Sequence, residues 1–329
     1  MFTFLTLIAC AVTIYLACEY FVNAIEWLGH RANVGETATG SILAAFGTAL
    51  PESAVTAAAV IFGKSEAAKS IGIGAALGGP LVLATISYAT VGFMLILCAK
   101  GLARKTLQLE LNQRQLANDQ LWFLIIFLCK ILLGVVAFHI KPLMGWLFLA
   151  AYGLYIRKEM QRAEDTCELL EPLKFSPKAS LPAWYWILLQ TIGAIIVIAL
   201  ASHYFVGALE QASPLLGLSP QLTALLLSPL ATELPETMNA IIWLRQGKEN
   251  LALANISGAM MIQATIPSAL GMFFTPWHFD GALLVAGITT SASILFLYFL
   301  FSRGKAQGKQ LLWSGSFYLL FAASCMAII

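Results

Sequence analysis

Charge is what this chain has least of. Only 11% of its 329 residues are Asp, Glu, Lys or Arg, and 59% are hydrophobic, where a soluble domain carries about 25% charged residues. The shortfall excludes a disordered chain, a secreted scaffold and an ordinary cytosolic enzyme. Metal-binding side chains are also scarce and scattered. No two of His30, His139, His203 and His278 lie within five residues of each other, so neither HExxH nor paired zinc or copper ligands are present. A serine hydrolase has no GxSxG to build on. The six cysteines show no CxxC spacing, and all but Cys167 lie in apolar stretches, as small buried hydrophobes do. The first basic residue is Arg31, so the apolar start lacks the basic region of a cleaved signal and reads as a first span that stays. A net charge of +2, being the sum over two membrane faces, says nothing of nucleic acid.

What is present is a succession of apolar runs. At about 20 residues per crossing, they fall near 2–27, 32–62, 65–99, 119–137 and 140–158, then near 183–209, 215–245, 248–275, 280–301 and 311–328. The expected fold class is an all-α polytopic membrane protein with ten transmembrane helices in two inverted-topology five-helix repeats. The repeats would be residues 1–158 and 183–329, joined by a cytoplasmic linker at 159–182, whose charges read as a solvated segment. Loops after odd-numbered spans hold 15 of the 19 Lys and Arg residues, among them Arg31, Arg157, Lys174, Arg245 and Lys248. Lys64, Lys69 and Lys141 belong to the other face, and Lys130 lies inside the fourth span. That bias places both termini outside the cytoplasm of a multi-pass protein of the plasma (inner) membrane.

An odd number of spans per half inverts the second half. An internal repeat accompanies it: Gly47-Thr-Ala-Leu-Pro-Glu-Ser53 matches Ala231-Thr-Glu-Leu-Pro-Glu-Thr237 at an offset of 184. Inverted repeats with interrupted helices at corresponding positions point to a transporter's binding site. Glu52 and Glu236 each sit near the middle of a long span, where an ionised group costs on the order of 3 kcal/mol on insertion scales. Neither has a Lys or Arg near it in sequence, so a cationic ligand is the expected partner. Thr48 and Thr232 precede the two acids by four residues, which sets hydroxyl and carboxylate on one helix face. Pro51 and Pro235 lack the N–H that would occupy the carbonyls of Gly47 and Ala231. Each repeat thus offers a carboxylate, a hydroxyl and a bare carbonyl, an oxygen set suited to Ca2+.

At these residues the chain resembles the cation/Ca2+ exchanger superfamily, the sodium/calcium exchangers and their prokaryotic relatives. The resemblance covers nearly the whole chain. It implies that Glu52 and Glu236 are the central Ca2+ carboxylates, with Thr48, Thr232 and the carbonyls of Gly47 and Ala231 beside them. Residues 254–263 fit the family's Gly-Ser-Asn-rich helix only in part: Ala259 replaces a Ser, Met260 an Asn, and Gln263 stands where an Asp or Asn is expected. The counterpart of Gln263 in the first repeat is Gly79 or Leu83, depending on register. Glu233 is an extra acid three residues before Glu236. It restores a negative ligand or shares a proton with Glu236.

Ser53 and Thr237 are ion ligands or bond back to their own helices; Asn239 and Asn255 are weaker candidates. Glu19, Asn23 and Glu26 hydrogen-bond near the outlet or line an ion path, and His203 is expected to be packed. The leading expectation is an antiporter, not an enzyme, exchanging Ca2+ for Na+ by alternating access. H+ coupling, a passive channel and a non-transporting scaffold are the alternatives. No cofactor is expected. The partners would be transported inorganic cations and the lipid bilayer, with no nucleic acid and no obligate protein partner.

Overall fold

The computed structural model describes residues 2–62, 66–99, 106–109, 111–136, 140–161, 170–212, 226, 228–279 and 281–328. The described residues are helical almost throughout. Helix α1 is Phe2–Arg31; α2, Glu36–Ala38, runs through a π segment, Thr39–Ala44, into α3, Ala45–Phe62. Helix α4, Glu66–Val82, likewise passes through a π segment, Leu83–Ser87, into α5, Tyr88–Cys98. Then come α6, Gln113–Val135, α7, Met144–Met160, and α8, Trp184–Ala212. The second part holds α9, Ser228–Thr232, α10, Leu234–Arg245, α11, Glu249–Phe274, α12, Gly281–Ser302, α13, Gly308–Leu311, and α14, Ser314–Ile328. Among the described residues, seven helical runs are long and apolar enough to cross a membrane. This is a polytopic α-helical membrane protein.

Helix α11 is the centre of the molecule, packed on by α3, α4, α6, α7 and α10 and buried along most of its length. Its small residues permit close approach. A Cβ at Gly258 would lie 2.0 Å from the Ser41 carbonyl oxygen, so only glycine fits where the first π segment crosses α11. The second π segment follows Pro80. Such a wide turn leaves carbonyls to be satisfied from outside; Ser293 Oγ donates to Ala84 O at 2.7 Å and Ser314 Oγ to Thr85 O at 2.8 Å. Helices α1 and α8 pack along each other outside this core.

The basic loops meet one another. Segment 106–109 bonds to 304–308 through Leu109 N to Ala306 O and Gly308 N to Leu107 O. The linker residues from 170 onward lie on α1, where Trp27 Nε1 donates to Glu171 O at 2.9 Å and Leu173 is fully buried. Residues 162–169 of the linker lie outside the described set. Its start is not solvated as expected: Glu159 is 1% exposed and accepts from Ser41 Oγ at 3.5 Å. His203 also departs from expectation, being exposed on the outer side of α8 with its ring 5.8 Å from that of Tyr204. Glu19, Asn23 and Glu26 bind the linker and the α10–α11 turn: Glu19 approaches Lys174 Nζ at 3.5 Å, and Asn23 Oδ1 accepts from Lys174 N.

Candidate cation site

Proline shapes the second motif. Pro235 at the second position of α10 has no N–H to give to Ala231 O, and the helix is interrupted at Glu233, whose φ and ψ are −88° and 7°. The interruption turns two acids inward within one turn: Glu233 is 0% and Glu236 1% exposed. The first motif differs. Helix α3 runs through Pro51 without a break, and the irregular turn lies earlier, in the π segment. Glu52 lies on α3, but its side chain is outside the described set, as are those of Pro51 and Ala231.

Glu233 has a built partner. Gln263 Nε2 on α11 donates to both its oxygens, at 2.8 Å to Oε1 and 2.9 Å to Oε2. Gly79 of α4 closes over the pair: a Cβ there would sit 2.5 Å from Gln263 Oε1 and 2.7 Å from Glu233 Oε1. Gly79 therefore faces Gln263 and Glu233, and its missing side chain is the space that they fill. Glu233 on α10 stands where the resemblance implies a small polar residue, and Gln263 on α11 where it implies an Asp or Asn.

The hydroxyls are turned partly to their own helices. Thr48, buried, donates to Ala44 O at 3.3 Å, and Thr232 to Pro229 O at 3.2 Å. Thr237 Oγ1 donates to Glu233 O at 3.0 Å and lies 2.8 Å from Ser87 Oγ in the second π segment. Ser53 Oγ makes no hydrogen bond among the described residues. At Gly47 the Phe21 ring of α1 packs so closely that a Cβ would lie 2.6 Å from it. Cys18 Sγ, also on α1, contacts Pro235 O at 3.8 Å. Helix α1 thus covers both motifs.

Two asparagines continue the polar lining past Glu236. Asn255 Nδ2 donates to Glu236 O at 3.4 Å, while its Oδ1 is buried without a hydrogen bond. Asn239 is 0% exposed, and neither of its amide atoms has a partner among the described residues. Sequence reasoning passed over Lys130 of α6, which is fully buried with Nζ 2.5 Å from Ala76 O. The signal was available: Pro80, four residues after Ala76, frees that carbonyl.

Buried acids and amides around a central helix are oxygen donors of the kind that hard cations take. Residues 2–157 and 186–329 match the sodium/calcium exchanger proteins. The chain belongs to the sodium/calcium exchanger protein family. It is 24% identical over 325 residues to the protein named "Putative antiporter CaxA" of Alkalimonas amylolytica, covering 93% of this chain and 95% of that one. Solved structures of the sodium-calcium exchanger NCX_Mj share its fold. The form soaked with 2.5 mM Na+ and 0.1 mM Ca2+ superposes with a TM-score of 0.74 at 19% identity, covering 98% of both chains. The form soaked without either ion gives 0.70 over the same 98%. As a member of a transporter family, the chain is a cation/Ca2+ antiporter by descent.

Proposed function

We propose that this exchanger carries Ca2+ against Na+ by alternating access, with the divalent held by Glu52 and Glu236. Ten spans in two inverted halves, 1–158 and 183–329, would bring the two motifs together at mid-membrane, with the linker and the basic loops on the cytoplasmic side of the plasma membrane. The observation that carries the reading is the burial of Glu233 and Glu236 within one turn of an interrupted helix, against an amide and a glycine. Two carboxylates neutralise a divalent ion, and the Thr48 and Thr232 hydroxyls with the Gly47 and Ala231 carbonyls complete an oxygen shell. Ser53 and Thr237 stand beside the acids as further oxygens. Helices α1 and α8, packed together and lying over both motifs, are the moving unit. H+ coupling has an observation of its own in its favour: Glu233, held one turn from Glu236, is a second carboxylate able to share a proton as like charges crowd.

The test is uptake of radioactive Ca2+ into sealed liposomes holding the purified chain, under an outward Na+ gradient and then an outward H+ gradient. Glu52→Gln and Glu236→Gln run beside it. Na+-driven uptake abolished in both variants supports the proposal. Uptake driven by H+ alone replaces Na+ with the Glu233–Glu236 proton pair, and no coupled flux under either gradient in folded protein overturns the reading.

A further inference from the structure

Lys130 lies well inside a span, helix α6, and is 0% exposed. An ionisable group at such depth marks a pathway or site unless a structural partner accounts for it. Its ammonium has a carbonyl acceptor, Ala76 O at 2.5 Å, and an aromatic face, the Phe127 ring with its centroid 5.1 Å away. Its backbone is held from the other side by Trp277 Nε1, which donates to Lys130 O at 3.3 Å. A carbonyl released from its helix by a proline is an ion ligand in transporters with interrupted helices. Here the protein's own ammonium takes that oxygen. Three residues after Ala76, less than one turn along α4, Gly79 lies against Glu233 and Gln263.

We propose that Lys130 is a tethered cation of the transport site. It stands permanently where a transported monovalent ion would otherwise bind, and so sets how many monovalent ions are exchanged for each divalent. The inference rests on the exchanger reading above. Glu52, Glu233 and Glu236 are three carboxylates, one more than a divalent ion neutralises. With the ammonium of Lys130 counted, two negative charges remain, matched by one Ca2+ or by two monovalent cations. The exchange is then two for one and moves no net charge. Without the tethered ammonium, the third carboxylate takes a third monovalent ion, and one charge crosses per cycle.

The experiment measures the equilibrium accumulation of radioactive Ca2+ in liposomes with a fixed monovalent gradient, at zero and at imposed membrane potential. The chains compared are wild type, Lys130→Gln and Lys130→Arg. Glutamine keeps a donor for Ala76 O and loses the charge; arginine keeps both. Wild type and Lys130→Arg are expected to show no dependence on potential. Lys130→Gln should respond by about fiftyfold for 100 mV, the value for one charge per cycle. If Lys130→Gln couples as wild type does, the lysine only caps a carbonyl and the proposal fails. Potential dependence in the wild type also overturns it and needs no variant to fold. A wild type with no Ca2+ flux under any gradient is a different result, the failure of the exchanger reading itself.

Discussion

Glu26 Oε2 lies 2.5 Å from Lys248 Nζ, and Trp243 Nε1 donates to Oε1 of the same carboxylate at 2.8 Å. The pair joins the end of α1 to the turn between α10 and α11. Glu26 and Lys248 are 3% and 16% exposed as side chains, so most of the pair is out of solvent. Helix α1 is thereby tied to the core beside the basic loops, while its middle covers the two motifs.

Removing one partner should cost more than removing both. Lys248→Met leaves a buried carboxylate with the indole N–H alone, a change worth about 3 kcal/mol or more in comparable cases. The expected result is a clear fall in the melting temperature in detergent. Glu26→Gln combined with Lys248→Met should recover part of it, because no uncompensated charge remains. A double variant less stable than Lys248→Met alone would show that the ion pair is not what holds α1 there.

The glycines of α4 are expected to behave oppositely. An alanine methyl at Gly79 meets Gln263 Oε1 and Glu233 Oε1 at under 3 Å, whereas a Cβ at Gly74 has nothing within 4 Å. Gly79→Ala should part the amide from the carboxylate. A buried polar group left unsatisfied costs about 1–3 kcal/mol, or roughly tenfold in ion affinity. Gly74→Ala should bind and transport as wild type does, with the small helix-propensity gain of alanine. Radioactive Ca2+ binding and flux, measured on both variants, check the contrast.

Gln263 makes the charge of the site a matter of one atom. Gln263→Glu sets a second carboxyl against Glu233 in place of the amide, and two carboxyls that face each other share a proton. With that proton between the oxygens the pair carries a single negative charge, as Glu233 and the amide do. Without it both are ionised and the site gains an anion. Cation affinity in the variant should therefore climb with pH more steeply than in wild type, meeting it at the acid end. A parallel pH profile would mean that the two side chains do not face each other as found.

The sequence made the second motif more legible than the first, and the reason is local chemistry. Pro235 stands beside Glu233, and the helix breaks where the missing N–H says it should. Pro51 carries the same instruction, yet α3 continues through it, with the irregularity displaced to Thr39–Ala44. There Ser41 is held by the close crossing of Gly258 and by Glu159, contacts made across the fold and invisible to spacing. The packing of Gly79 on Gln263 is another such contact: two offsets fit the letters of the first glycine-rich helix, and neither tells which of its residues touches Gln263. Glu159 opens a charged run, and such a run reads as solvated. Its burial comes from the packing of α7 on α11.

Asn239 should trade stability for transport. Both its amide atoms are buried without a hydrogen bond among the described residues, one turn beyond Glu236 and on the helix whose Glu236 carbonyl Asn255 engages. An amide in that condition costs about 1–3 kcal/mol that an apolar side chain of similar size does not. Asn239→Leu is therefore expected to raise the melting temperature. If the amide serves passing ions or their water, the same change slows Ca2+ flux while leaving equilibrium Ca2+ binding at Glu236 nearly intact, because the carboxylate itself is untouched. Thermal melts, binding isotherms and initial rates on one preparation separate the outcomes. Greater stability with unchanged flux would remove Asn239 from the path, and lower stability would mean that its amide has partners in the membrane that the fold alone does not supply.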